Sequence, residues 1–117
     1  MVGVKAAEAK LVRFSHNNLK DLENKIIKCN PTKNSILVVV ESLYSMEGSI
    51  APIREITEIC KKNNVQLLVD EAHAIGILGT EGGGLSFNFR SDITIITGTF
   101  GKAFGSGSFH SLQFRNW

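Results

Sequence analysis

Two cysteines, Cys29 and Cys60, are all that 117 residues hold. Their spacing is neither that of a metal-ligand pair nor that of a redox motif, and two thiols make a poor disulfide framework. A metal centre is not expected, and a reducing compartment is. No apolar run approaches the roughly 20 residues needed to cross a bilayer, so no membrane span is expected. Charge of one sign is also scarce: the formal net charge is +2, with the lysines Lys5, Lys10, Lys20, Lys25, Lys28 and Lys33 scattered as on a solvated face. A nucleic-acid partner would normally show as a clustered basic patch. The start of the chain lacks a long apolar leader core, which leaves the cytoplasm as the expected location and the mitochondrial matrix compatible with it.

What the sequence does have is the grammar of an α/β fold. Ile36–Val40, Val65–Val69 and Asp92–Thr97 are short apolar, β-branched runs that suit parallel strands covered on both faces. Between the first two, Pro52 suits a first helical turn, and Ile53, Ile56, Ile59 and Cys60 share one face, with Glu58 and Lys62 four apart outside. Asn63 or Asn64 can end that helix in the left-handed conformation. An earlier helix starts at Asn18, whose side chain can cap it with Asp21 three residues on, carries Leu19, Leu22, Ile26 and Ile27 inward, and stops before Pro31. Strand, helix, strand over Ile36–Asp70 is a βαβ unit, with Ile36–Glu41 and Gln66–Asp70 parallel and the 92–97 run a third strand of one sheet. His16 reads as a structural or solvated histidine.

In open α/β sheets ligands sit beyond the carboxyl ends of the strands. There this chain places charge: Asp70-Glu71-Ala72-His73 after the second run, and Gly98-Thr99-Phe100-Gly101-Lys102, a glycine-punctuated turn, after the third. Ser45 follows the first run in a segment that reads equally well as a turn with hydroxyl caps. Gly79–Gly84 reads as a flexible turn near the site, because no strong strand precedes it and no Lys-Ser or Lys-Thr pair closes it as in a phosphate loop. Leu85, Phe87 and Phe89 are expected to pack.

The segments VDEAHAIGILGTEGGG and TGTFGKAFG resemble the core of the α-oxoamine synthases, fold type I enzymes dependent on pyridoxal 5'-phosphate (PLP). Their members include 8-amino-7-oxononanoate synthase, 2-amino-3-ketobutyrate CoA ligase, 5-aminolevulinate synthase and serine palmitoyltransferase. The resemblance runs from about Arg13 to about Gly105. It implies a partial PLP-binding large domain over residues 1–105 and a divergent tail over 106–117, such as a truncated or frame-shifted coding sequence would leave. It also implies a mainly parallel sheet with flanking helices and a PLP-dependent condensation of an amino acid with an acyl-CoA, carried out by a homodimer.

By the same resemblance, Lys102 would hold the cofactor aldehyde covalently and later move protons at the substrate α-carbon. Asp70 would pair with the pyridinium nitrogen, His73 would donate to the ring's phenolic oxygen, Thr99 would contact phosphate and Ser45 would lie near the ring. PLP chemistry needs one such acid and one such amine. The family's arginine is replaced here by Gly83, and its glycine-rich phosphate turn, its ring-stacking aromatic and its carboxylate-binding arginine have no counterpart, so the chain looks like a central fragment. Two alternatives stand beside the enzyme. One is a non-catalytic fragment that retains only the sheet. The other is a DEAH-type nucleotide hydrolase, which would need an upstream G-x-x-x-x-G-K-[ST] loop that the sequence lacks.

Overall fold

The computed structural model describes residues 9–44, 48–73, 84–99 and 110–114, with side chains for those up to Gly98. Helix α1 (Leu19–Lys28) is started by Asn18, whose side chain accepts from Asp21 N at 2.9 Å. The Asp21 carboxylate in turn reaches back past the cap to accept from Ser15 N at 2.6 Å, a bond that holds its pKa below the ordinary value. Leu22 and Ile26 are buried, whereas Ile27 is 58% exposed, so the inward stripe is narrower than the sequence pattern indicates. Asn30 at φ 54 turns the chain away before Pro31.

Strand β1 (Leu37–Glu41), helix α2 (Ile53–Lys62) and strand β2 (Gln66–Asp70) form the expected βαβ unit, and β1 pairs with β2 in parallel from Leu37↔Gln66 to Glu41↔Asp70. Asn64, at φ 54, carries the chain out of α2. A 3-10 helix (Phe87–Asp92) leads into β3 (Ile95–Thr99), parallel to β2, and β4 (His110–Phe114) pairs antiparallel with β3. The sheet order is β1-β2-β3-β4.

The third strand begins later and ends later than the 92–97 run. Asp92 belongs to the 3-10 helix, Ile93 is spent on the core at 2% exposure, and pairing with β4 extends the strand through Gly98 to Thr99. Thr99 is therefore the last strand residue, not part of the turn beyond. The tail, to which the sequence pattern assigned no element, supplies β4.

One core binds these parts: Leu22 and Ile26 of α1, Ile53, Ile56 and Cys60 of α2, Val38 and Val40 of β1, Leu67 and Val69 of β2, with Ala51 and Ile93. Both helices lie on the same face of the sheet. The other face of β1 is open among the described residues, with Leu37 45% and Val39 58% exposed, so the expectation of strands covered on both faces fails there. Lys62 does not pair with Glu58; it bridges to Glu23 of α1 at 2.9 Å, and Lys61 reaches Asp92 at 3.3 Å. These exposed pairs are screened by solvent and add little stability. They align elements that the core already holds.

Cys60 illustrates how closed that core is. Burial pushes its thiol up to about 12, and only a thiolate attacks an alkylating agent. Native protein at pH 8 should therefore lose Cys29 to iodoacetamide at least about tenfold faster than Cys60, with both reacting in denaturant. Since the thiol titrates near 8.5 when unfolded, the unfolded chain sheds this proton first as pH rises. Stability should fall between that value and the folded one, as a urea midpoint measured at rising pH would read.

Candidate active site

The parallel register sets the carboxyl ends of three strands side by side. Glu41, Asp70 and Thr97 are partners across β1, β2 and β3, so they stand on one sheet face at spacings of about 4.8 Å. This is the face opposite the helices. Asp70 is half-buried, and its carboxylate accepts from Ala72 N at 2.9 Å, closing an Asx turn that carries the chain to His73, also half-buried. Asp70 and His73 are thus brought to one strand end, as the sequence indicates. Thr99 ends the neighbouring strand, opposite His110. Lys102 and Ser45 lie outside the described residues, as do residues 79–83 of the glycine-rich turn.

The segment that contains Ser45 is bracketed by well-defined contacts. Ser42 is fully buried, Leu43 bridges to Ile50, and Tyr44 N donates to Ser49 O at 3.0 Å. His16 stacks edge-on against Tyr44 at 4.5 Å and shares a 2.7 Å hydrogen bond with Ser49 Oγ. It braces this connection.

Sequence reasoning gave no role to Glu71, the residue between Asp70 and Ala72. Its side chain is completely buried. Ser42 Oγ donates to Oε2 at 2.5 Å, Leu85 N to Oε2 at 3.2 Å and Ser86 N to Oε1 at 2.6 Å. Its own N–H donates to Thr97 O at 2.7 Å, while Ser42 N donates to Asp70 O at 2.9 Å. One carboxylate thus ties β1, β2 and the returning chain at 84–86 together. Gly84 permits the approach: it has φ +90, and a Cβ there would lie 2.7 Å from the Glu71 carboxyl carbon. The signal was present in the strand alternation, since Leu67, Val69 and Glu71 share the inward face. A carboxylate there needs several donors to offset its desolvation.

This burial also bears on the nucleotide-hydrolase alternative. An Asp-Glu pair that holds magnesium and its waters must present both carboxylates to solvent, and Glu71 is enclosed by protein donors. Among the described residues no cluster of three His, Cys, Asp or Glu side chains could hold a metal ion. No helix among them is long and apolar enough to cross a membrane.

The chain has marked relatives. It is 40% identical over 105 residues to a 5-aminolevulinate synthase of Rhizobium meliloti, covering 88% of this chain and 26% of that protein. It is 38% identical over 106 residues to a serine palmitoyltransferase of Sphingomonas paucimobilis, covering 89% and 25%. Among solved structures, a serine palmitoyltransferase with a PLP internal aldimine superposes with a TM-score of 0.81 at 36% identity, over 91% of this chain and 27% of that one. The chain therefore spans about a quarter of the length of the relatives it matches. The likeness confirms the mainly parallel sheet with flanking helices as part of a fold type I large domain. The family model for aminotransferase class I and II matches residues 1–108, a wider stretch than the motifs alone marked out, and the chain belongs to that family.

Proposed function

We propose that this chain carries the strand-end half of a PLP site in an enzyme that condenses an amino acid with an acyl-CoA. The observation that carries the reading is the placement of Asp70 at the end of β2, on the sheet face shared with Thr97, with His73 just past it after the Asx turn, within a fold similar to a PLP-containing serine palmitoyltransferase.

The residues suit the group. PLP supplies an electrophilic aldehyde and a ring that draws electrons from the substrate α-carbon. In this chain Asp70 keeps one carboxylate oxygen on Ala72 N, and the other is available to hold a proton on the ring nitrogen. His73 would donate to the phenolic oxygen. Thr99, at the end of β3, would contact the phosphate, and Ser45, which follows β1 in the sequence, would serve the ring. Lys102, three residues past Thr99 in the sequence, is the amine that would hold the cofactor aldehyde and move protons at the substrate α-carbon.

Relatives named for different products match this segment at 40% and 38% identity, so the reading stops at the reaction class. We assign the working unit to a homodimer in the cytoplasm, where its two free cysteines, Cys29 and Cys60, persist as thiols. A non-catalytic fragment is the second reading, favoured by the quarter-length match.

The two readings separate in a chimera in which residues 9–105 replace the matching segment of the Sphingomonas paucimobilis serine palmitoyltransferase. Saturable PLP binding and thiol release from acyl-CoA in the presence of an amino acid are expected. A folded chimera that binds no PLP would leave the sheet fragment as the reading.

A further inference from the structure

On the cofactor-site reading above, we propose that Glu71 is a positioning residue: its buried carboxylate latches the chain on both sides of the 74–83 segment and thereby fixes the turn that aims Asp70 and His73 at the cofactor ring.

The geometry assigns this role in three steps. Glu71 sits between Asp70 and Ala72, the two residues that close the Asx turn, so any rotation of its backbone moves both ends of that turn. Its side chain points to the opposite sheet face, where it is anchored by donors from two distant stretches, Ser42 after β1 and Leu85–Ser86 where the chain returns. Its N–H is fixed to β3 through Thr97 O. The turn is thus held from three directions by a residue that cannot itself reach a ligand on the Asp70 face. Gly84 adds that the chain is shaped for this contact, since its bare Cα and φ of +90 let Leu85 N and Ser86 N meet the carboxylate together.

A carboxylate, acceptor only, is the group this site requires. In Glu71→Gln one oxygen becomes an NH2, which confronts a backbone N–H with another donor. The loss of a bond to a charged acceptor corresponds to roughly a tenfold change in the equilibrium it supports.

Two measurements test the proposal. In the full 117-residue chain without cofactor, amide exchange at Ala72, Leu85 and Ser86 should quicken roughly tenfold in Glu71→Gln while the amides of α2 keep their rates. In the chimera, Glu71→Gln should weaken PLP binding by about tenfold, and by less than about twofold when Asp70→Asn is already present, because residues acting through one contact are not additive.

Equal weakening in both backgrounds would show that Glu71 supports the fold alone and would overturn the proposal, as would unchanged exchange at Ala72. Should Glu71→Gln not fold, Ser42→Ala removes a single donor, and its cycle with Asp70→Asn is expected to show the same non-additivity. A wild-type chimera that binds no PLP would overturn the functional reading, and the exchange pattern would then decide the latch by itself.

Discussion

Lys102→Ala is expected to abolish covalent capture of PLP in the chimera described above. With wild-type residue 102, incubation with PLP followed by borohydride should leave a phosphopyridoxyl group on Lys102, located by peptide mass. The chemistry explains why the effect is total. An amine is the side chain that can hold the aldehyde reversibly and then return protons to the substrate α-carbon. Label on Lys61 or Lys62 instead would place the chemistry elsewhere. That outcome is not expected, because these two lysines sit on the outer side of α2, where they bind Asp92 and Glu23. The 117-residue chain by itself should label weakly, since it spans about a quarter of its relatives' length.

Much of the fold was legible because local and global preferences agree. The β-branched run of β1, the proline that opens α2 and the asparagine that leaves it each point to the same βαβ unit, and the structure contains it. Where the sequence reading went astray, a distant partner decided. Ile93 reads as strand by composition, but the core formed with α2 claims its side chain, and β3 starts two residues later. The far end of β3 is set by pairing with β4, a strand whose residues His110–Phe114 carry no strong pattern of their own. Lys62 chose Glu23, 39 positions away, over the neighbour on its own helix. The continuous apolar run of β1 reads as covered on both faces, yet at Leu37 and Val39 no described residue covers the second.

The candidate site was legible in part for a similar reason. Asp70 and His73 follow an apolar run, and the rule that ligands gather at strand ends locates them. Glu71 is harder to place from sequence, because its neighbours look like the chemistry while its own partners, Ser42, Leu85 and Ser86, are separated from it by 29, 14 and 15 positions. A charge on the same strand face as Leu67 and Val69 was the available clue. It marks a residue that the protein must supply with donors from elsewhere, and those donors define how the site is built.

Asp70→Asn should lower turnover by about 3 kcal/mol of transition-state stabilisation, roughly 150-fold, with the chimera still folded. The substitution keeps the size of the side chain, and an asparagine oxygen can still accept from Ala72 N, so the Asx turn survives. On the proposed reading, what it removes is the negative charge that would hold a proton on the ring nitrogen and so support the ring's capacity to draw electrons from the α-carbon. The loss should appear in turnover far more than in apparent substrate affinity, because the charge would act mainly in the transition state. Its spectroscopic counterpart is a bound cofactor that loses its ring proton at lower pH than in the wild-type chimera, since the anion that stabilised the protonated form is gone. Near-normal turnover with asparagine at position 70, together with an unchanged pH profile of the bound cofactor, would show that another acid serves the ring. Glu41 is then the residue to examine, because it stands beside Asp70 in the β1–β2 register.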